Sequence, residues 1–441
     1  MTKTLAHELA SLARQLKTGG EDTATQSLVK QCLIDAAAAA VAGYDSPAAG
    51  MAARFAVRGF GHGAVSPWFS DDLRLSAIGA AFVNSSAMSS LDIDDGNRAA
   101  RGHLGAAVIP AASIFGSLSG ASSATFAHAI TAGCEIGARL GAAETPPFFA
   151  SGRWAGVGAA VAAGICLGFD EAQLANVISL SIHTAPLMAA AGVRSQMTGH
   201  IKEGVPFGVL SGLSSALLAD EGFRGDPDAI ESTGIYDTKQ LAWQLGHTPA
   251  FMRTYFKRYT CCRLAHSPID AAVAIAVRER LDWRDIERIT VRTFRTAIEL
   301  PNETRPASFE SAQFSLPFTI AAALARGPEA LLPLSTKILE CNDVIGLAER
   351  VVLEHDTNMD VQYPSGTPSG VQITTSDGRS FEEQRETADG DPGRPFSNTQ
   401  LLKKLEILGR DKVGSRHLAR ILACLDGGIP DATSFETALR R

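Results

Sequence analysis

The chain has 441 residues, of which 45% are hydrophobic and 20% are charged, and its net charge is −7. This composition is typical of a folded protein with more than one hydrophobic core, and it argues against intrinsic disorder. The modest and dispersed negative charge disfavours binding to nucleic acids or to anionic membranes. An anionic substrate would therefore need a local basic pocket.

Seven cysteines are spread along the chain without a C-x-x-C pair, a pattern that favours free thiols in a reducing compartment. Residues 1–22 include acidic side chains and lack the uninterrupted apolar run of a signal peptide. Ser, Thr, Gly and Pro interrupt the longest uncharged runs, residues 104–127 and 173–193, which therefore predict buried helices rather than membrane spans. We expect a cytoplasmic protein.

Small side chains dominate the chain up to about residue 220. Segments rich in Ala, Gly and Ser show helical periodicity, and Gly or Pro residues separate them. Small residues at this density allow helix axes to approach closely, so we expect a tightly packed all-α core. The predicted helices cover residues 26–42, 76–90, 122–140, 156–167, 171–184 and 205–219.

Strand patterns begin after residue 266. The stretch ERITVRTF alternates apolar and polar residues, and GVQITTSDGRSFEEQ surrounds an Asp377–Gly378 turn signal that predicts a β-hairpin. Residues 350–352 are a further strand candidate, and residues 269–280 and 314–326 are helix candidates. This mixture predicts an α+β domain.

A polar connector, ADGDPGRPFS, follows the α+β part, after which the chain returns to helical periodicity. The last segment is too short to fold alone, so we expect it to pack against the first helices. The predicted fold class is therefore mostly α with an inserted α+β domain. The predicted units are a helical domain over residues 1–265, the α+β domain over residues 266–392, and a C-terminal helical segment over residues 393–441 that returns to the helical domain.

Residues 89–110, SSLDIDDGNRAARGHLGAAVIP, concentrate three carboxylates, two arginines and one histidine among small apolar residues. Asp92 and Asp95 offer oxygen ligands for a divalent cation, although their spacing does not fit an EF-hand loop. An alternative is a helix that ends at Gly96, with one carboxylate bonded to loop amides and the others solvated. Both interpretations stay open for this segment alone.

A third interpretation treats Asp92 and His103 as an acid–base pair, because an imidazole titrates near neutral pH. Arg98 and Arg101 would then bind substrate carboxylates, each through two parallel hydrogen bonds. The alternative for both arginines is a solvated position in a loop. The residue types of this segment do not decide among these interpretations.

Four segments, in the same order, resemble the MmgE/PrpD family. FVNSSAMSSLDIDDGNRAARGHLGAAVIPAA resembles its N-x-x-x-x-H-x-L/M-D-F-D-D segment and the following H-P-G or H-P-S and V-x-P-A motifs. GVGAAVAAGICLGFDEAQLANVISLS is similar to its G-A-A-A-A-A-x-L-L-G-L helix, and KEGVPFGVLSGLSSALLADEGFRGDPDAIES to its G-x-A-A-x-x-G-x-x-A-A-x-L-A-x-x-G-F-T-G segment. FKRYTCCRLAHSPIDAAVAI resembles its K-x-Y-P-x-C-x-x-x-H-x-x-I-D-A motif. The resemblance covers most of the chain.

The resemblance implies a helical domain, an inserted α+β lid domain and usually a homodimer. It also implies an active site between the domains, where protons move at carbon atoms beside carboxylates with no required cofactor. We expect no metal at this site. Asp92 and His103 match the family's aspartate and the histidine of its H-P-G motif, although Leu104 stands where proline is usual. Lys257 and His266 match the fourth motif, and we expect them to bind substrate or orient the site.

Three polar groups of the family are absent from this chain. Alignment of the motifs places Phe149 at a second histidine, Gly199 at a lysine and Phe318 at a tyrosine. Lys202 follows the position of the missing lysine by one helical turn, and we expect it to replace that charge as a catalytic residue. Further cationic candidates for substrate binding are Arg153 and His200.

Aromatic residues stand at or near the positions of the missing polar groups. Phe149, Trp154 and Phe318 predict an aromatic-lined pocket for a substrate that is less charged, larger or more apolar than a tricarboxylate. The alternative is that these aromatic side chains fill core space.

We therefore expect a cofactor-independent lyase, either a dehydratase or a decarboxylase, that acts on a small organic acid by acid–base proton transfer. Asp92, His103 and Lys202 are the predicted catalytic residues, and neither nucleic acid nor membrane is an expected partner. One alternative is an isomerase, an epimerase or a cyclisation catalyst on the same scaffold. Another is a non-catalytic descendant that binds a small acid or a partner protein.

Overall fold

A computed structural model describes residues 4–16, 22–70, 72–146, 150–186, 199–245 and 249–441. Most of this part of the chain is helical, and a four-stranded sheet lies in its C-terminal half. The predicted fold class, mostly α with a smaller α+β part, is confirmed. Within the described residues, no helix is long and apolar enough to cross a membrane.

The first part of the chain forms helices that pack around one hydrophobic core. Several of them begin where a Ser or Asp side chain accepts a hydrogen bond from a backbone N–H of the first turn, as Ser76, Ser122 and Asp170 do. All six predicted helices are confirmed. The described helices of this part are α1 Leu5–Gln15, α2 Thr23–Gly43, α3 Pro47–Phe60, α4 Ala77–Ser90, α5 Gly105–Ser119, α6 Ser123–Ala143, α7 Ser151–Cys166, α8 Glu171–Thr184, α9 Val205–Asp220, α10 Ala229–Ser232 and α11 Thr238–Gln244.

A second hydrophobic core lies in the α+β part. Its sheet has the order β4-β3-β5-β6, in which β3 and β4 are parallel and the other pairs are antiparallel. The predicted hairpin joins β5 to β6 at Asp377–Gly378, where Gly378 has a φ of 86°. The strands among the described residues are β1 Gly96–Asn97, β2 Thr254–Tyr255, β3 Ile286–Thr293, β4 Val351–His355, β5 Ser369–Thr375 and β6 Ser380–Arg385.

The helices of the α+β part and of the C-terminus complete the fold. The C-terminal helices return to the first core, to which Leu401, Leu405 and Phe435 contribute. These remaining helices are α12 Arg263–Glu279, α13 Arg295–Ile298, α14 Phe309–Gln313, α15 Leu316–Arg326, α16 Asn342–Ala348, α17 Thr357–Asp360, α18 Asn398–Gly409, α19 Ser415–Asp426 and α20 Ala432–Leu439. Short 3-10 turns lie at Ala250–Arg253, Trp283–Asp285, Pro328–Ala330 and Thr336–Glu340.

Glycines bring α7 and α9 into backbone contact. A Cβ atom added to Gly156 would lie 2.5 Å from the carbonyl oxygen of Gly208, closer than any real side chain packs. Gly152 lies equally close to the backbone of Gly204, and Gly212 to that of Gly156. The crossing therefore depends on residues without side chains, and it fixes the start of α9 against the start of α7.

We predict that Gly156→Ala lowers the thermal unfolding midpoint, because the added methyl group forces the two helices apart at a typical cost of about 1–3 kcal/mol. Gly50→Ala on α3 is the matched control, since its nearest atom would be the Arg54 guanidinium at 3.5 Å. The control is expected to be neutral or slightly stabilising. Equal midpoints for the two variants would contradict the packing argument.

Candidate active site

The site lies on the loop between α4 and α5, which carries the aspartates and the histidine singled out in the sequence. β1 within this loop pairs with β2, with Gly96 opposite Tyr255 and Asn97 opposite Thr254. The alternative of a helix ending at Gly96 is wrong, since α4 ends at Ser90 and Gly96 lies in β1. The pairing fastens the loop to the segment that leads into the α+β part.

Asp92 is held by a buried lysine. Lys257 Nζ donates to the Asp92 backbone oxygen at 2.8 Å and lies 3.0 Å from its carboxylate Oδ2. Burial alone would lower the pKa of Lys257, but the Asp92 carboxylate outweighs this effect and raises it. Asp92 also has a φ of 54°, a conformation that costs free energy in residues other than glycine. The ion pair therefore fixes Asp92 in a strained position.

His103 lies among three acidic residues. Its Nδ1 is 2.8 Å from the backbone oxygen of Asp95 and 3.1 Å from Asp94 Oδ2. Its Nε2 is 3.8 Å from Asp92 Oδ1 and 3.9 Å from Glu203 Oε1. Burial on its own lowers the pKa of His103, but the Asp94 carboxylate outweighs burial and the net pKa is about 9. The side chain is therefore an imidazolium at neutral pH.

Lys202 and Glu203 enter the site from the turn before α9. Lys202 has a φ of 44° and Gly204 a φ of 69°. Lys202 Nζ donates to the backbone oxygens of Ser89 and Ser90, at 3.1 and 2.8 Å, and to Gln313 Oε1 at 2.8 Å. The ammonium thus sits at the negative end of α4, and burial lowers its pKa.

Glu203 is fixed on the other side of the turn. Its Oε2 accepts a hydrogen bond from Ser151 Oγ, which itself accepts one from the His103 backbone N–H at 3.0 Å. Burial raises the pKa of Glu203, and the nearby His103 partly offsets this effect. Glu203 was not predicted from the sequence, where only its position next to Lys202 could have drawn attention to it.

Two small cavities meet at this cluster and share Asp92, His103, Glu203 and Phe314. The larger, of about 40 Å³, is also lined by Arg101, Lys257 and Tyr363, among others. The smaller, of about 20 Å³, is lined by Asp94 and Lys202 among others. The structure thus brings together the three predicted catalytic residues around one space.

The two arginines of the loop differ in their partners. Arg98 Nε and Nη2 donate to the Asp391 carboxylate at 2.8 and 2.6 Å, and Arg263 lies 3.0 Å from the same carboxylate. Arg98 lines the larger cavity, but Asp391 occupies the guanidinium edge that was predicted to bind substrate. Among the described residues, the Arg101 guanidinium has no carboxylate within 4 Å, and its one hydrogen bond, to the Gly141 oxygen, is 3.5 Å long. Arg101 is therefore the guanidinium available to a ligand.

Several predicted substrate-binding residues lie elsewhere. Arg153 donates to Glu144 at 2.6 Å, and His200 is half exposed and pairs with Glu310 at 3.0 Å. His266 is fully buried beside Tyr259, with its ring centre 5.1 Å away, and burial lowers its pKa. Neither cavity is lined by Arg153, His200 or His266.

The predicted aromatic pocket is wrong for Trp154 and Phe318, and the alternative of core packing holds for both. Trp154 and Phe318 are 1% and 0% exposed and belong to the two hydrophobic cores. Phe149 lies outside the described residues. Phe314 and Tyr363 line the larger cavity instead, and no pattern in the sequence singled them out.

The metal interpretation of Asp92 and Asp95 finds no support in their surroundings. The Asp95 carboxyl accepts a hydrogen bond from the Gly105 N–H at 2.9 Å, at the start of α5, whereas Asp92 faces Lys257. Burial raises the pKa of Asp95 to about 8. Among the described residues, no group of three or more His, Cys, Asp or Glu side chains is arranged to hold a metal ion.

Comparison with known proteins gives matches along most of the chain. The model of the MmgE/PrpD N-terminal domain matches residues 7–239, and that of the MmgE/PrpD C-terminal domain matches residues 259–426. Similar proteins include the cis-aconitate decarboxylases of Homo sapiens (24% identical, covering 92% of this chain and 87% of the relative) and of Mus musculus (24%, covering 79% and 76%). The cis-aconitate decarboxylase of Aspergillus terreus strain NIH 2624 is 24% identical and covers 76% of this chain and 75% of the relative. Because the two family models together match most of its length, the chain belongs to the MmgE/PrpD family.

Proposed function

We propose that this protein is a lyase that removes water or carbon dioxide from a small organic acid, without a cofactor. The observation that carries the proposal is the imidazolium of His103, which faces a cavity shared with Asp92, Glu203 and Lys202. A proton donor and a carboxylate base on one space are the groups that elimination beside a carboxylate requires. The similarity to cis-aconitate decarboxylases supports the same reaction class.

In a dehydration, Asp92 accepts the proton from the carbon beside the carboxylate, and His103 donates a proton to the departing hydroxyl group. In a decarboxylation, the electron pair of the broken C–C bond remains on the substrate, and His103 protonates the resulting carbanion. Both routes pass through an enolate-like charge. The buried Lys202 ammonium and the imidazolium stabilise that charge in a site with little water.

Arg101 supplies the substrate with a counter-charge at the cavity wall. It has no described carboxylate partner, and it faces the same cavity as the Lys257 ammonium. A guanidinium binds a carboxylate through two parallel hydrogen bonds, which orients the acid as well as attracting it. We therefore assign Arg101, rather than Arg98, as the main anchor of a substrate carboxylate.

Proton NMR in deuterium oxide tests the proposal directly. The purified protein is incubated with cis-aconitate and with a panel of small 2-hydroxy, 3-hydroxy and unsaturated carboxylic acids. Loss of water or carbon dioxide from one of them supports the lyase. Deuterium entering a substrate without net loss would instead favour an isomerase, and ligand-induced stabilisation without turnover would favour the binding descendant. The expected homodimer stays a prediction that light scattering tests.

We predict that His103→Gln lowers turnover by about 10²–10⁴-fold, because the amide cannot transfer the proton that the imidazolium supplies. His62→Gln is the matched control on an exposed loop and should stay within about twofold of the wild-type rate. The rates are measured on the acid that the NMR survey identifies. A His103→Gln enzyme with full activity would exclude His103 as the proton donor.

Stability should depend on pH through the same histidine. The pKa of His103 is about 9 in the folded protein and lies near 6.5 in an unfolded chain, so the folded state binds the extra proton between these values. Its stabilising contribution is complete below pH 6.5 and is lost as the pH rises through 9. We expect the wild-type unfolding midpoint to fall between pH 6.5 and 9.5 more steeply than that of His103→Gln. Parallel curves would show that His103 is not charged in the fold.

A further inference from the structure

Glu203 is a buried carboxylate at the reacting space that has no role in the chemistry proposed above. It lines both cavities, it is 8% exposed, and its Oε1 lies 3.9 Å from His103 Nε2. No lysine or arginine among the described residues lies within 4 Å of its carboxylate. Its hydrogen-bond partner, the hydroxyl group of Ser151, engages only Oε2. Oε1 therefore remains available to a ligand.

The surrounding backbone holds Glu203 in place. The Gly152 N–H donates to the Glu203 backbone oxygen at 3.0 Å, and the glycine contact between α7 and α9 keeps the two segments together. Gly102 leaves the room that the side chain occupies, because a Cβ at Gly102 would lie 3.0 Å from Glu203 Oε2 and 2.9 Å from the Trp154 ring. The Ser151 hydrogen bond and this close packing restrain the Glu203 side chain at the cavity.

The lining of the larger cavity also includes groups that can bind an anion. Arg101 is available there, and Tyr363 reaches the same cavity from the α+β part, where its ring stacks on Phe294 with centroids 4.7 Å apart. A carboxylate bound at Arg101 can accept a further hydrogen bond from the Tyr363 phenol. The lining of the larger cavity thus combines anion-binding groups with the Glu203 carboxylate.

We propose that Glu203 determines substrate specificity: the site takes an organic acid whose carboxylate binds Arg101 and Tyr363 and whose neutral hydroxyl group donates to Glu203, and it rejects an acid with a carboxylate at that second position. The reason is that two carboxylates in contact at a buried position repel each other, whereas a hydroxyl group donates to the free Oε1. This inference deepens the proposed lyase function and rests on the same site, but it concerns binding and can be tested without turnover.

Three acids that share the glutarate skeleton separate the repulsion between two carboxylates from the hydrogen bond that a hydroxyl group donates to Glu203. Glutarate, 3-hydroxyglutarate and tricarballylate carry a hydrogen atom, a hydroxyl group and a carboxylate on the central carbon. Their dissociation constants are measured by isothermal titration calorimetry at pH 8, and turnover is followed by NMR in the same samples. We expect the wild-type protein to bind 3-hydroxyglutarate about tenfold or more tightly than tricarballylate.

Variants assign this preference to residues. Glu203→Gln keeps the size of the side chain and removes its charge, so the preference should fall to about threefold or less. Arg101→Met should weaken the binding of all three acids by a similar factor and keep their order. Glu287→Gln on the exposed side of β3 is the matched control and should change nothing.

Each outcome bears on the inference separately from the lyase proposal. Wild-type protein that binds tricarballylate as tightly as 3-hydroxyglutarate, or that binds none of the three acids, overturns it, even if Glu203→Gln does not fold. An unchanged preference in folded Glu203→Gln overturns it as well. The expected preferences without turnover of any acid would support the role of Glu203 and contradict the lyase. Turnover of an acid, together with an unchanged preference in folded Glu203→Gln, would support the lyase and contradict the role of Glu203.

Discussion

Burial of charge where the two hydrophobic cores meet is the constraint on which the site depends. Asp92, Lys257, Asp94, His103 and Lys202 are each less than a tenth exposed. A single unpaired charge at such a position costs several kcal/mol, so each of these groups requires the others. Lys257 follows β2 and reaches back to Asp92, so the ion pair also links the loop to the chain entering the α+β part. The ion pair that neutralises the buried charges thus also connects the two parts of the chain at the site.

Backbone geometry does the rest of the positioning. Six described non-glycine residues have a positive φ, and three of them, Asp92, Arg101 and Lys202, belong to the site. Strained conformations of this kind persist only where the surroundings impose them, and they cluster at functional positions. At Lys202 the surroundings are the helix end that receives its ammonium and the glycine contact between α7 and α9. Removing the contact at Gly156 would therefore disturb the placement of Lys202 and Glu203 as well as the core.

The sequence predicted the helices and the hairpin because their signals are local. Runs of Ala, Gly and Ser with helical period, and the Asp377–Gly378 turn, depend on neighbouring residues alone. Residue types and the family resemblance predicted Asp92 and His103 as partners, and the structure places their side chains 3.8 Å apart. The two side chains are therefore neighbours, and the role of the pair in catalysis stays a proposal.

What the sequence could not predict depends on contacts between distant segments. Glu203 reaches Ser151 across 52 positions, and Arg98 reaches Asp391 across 293 positions, which turned a predicted substrate ligand into part of an ion pair. Trp154 and Phe318 were predicted to line a pocket, with core packing as the alternative, and they lie in the cores. An aromatic side chain suits either place, and residue type alone does not distinguish them. Each error concerns where a side chain ends in space.

The two cavities are too small for an organic acid, so substrate binding at this site requires a movement of the protein. Spaces of about 40 and 20 Å³ hold a few water molecules rather than an organic acid, so entry of an acid requires the lining side chains or the segments that carry them to shift. The Asp391 carboxylate joins Arg98 of the α4–α5 loop to Arg263 at the start of α12, so an opening motion must either break the Arg98 pair or carry the loop with it. Because Asp92 and His103 lie on that loop, opening and the alignment of the proton-transfer groups are coupled. Under the proposed specificity, an acid that binds Arg101 and Glu203 together would favour the arrangement described here, and the residues that select the substrate would also help to assemble the site around it.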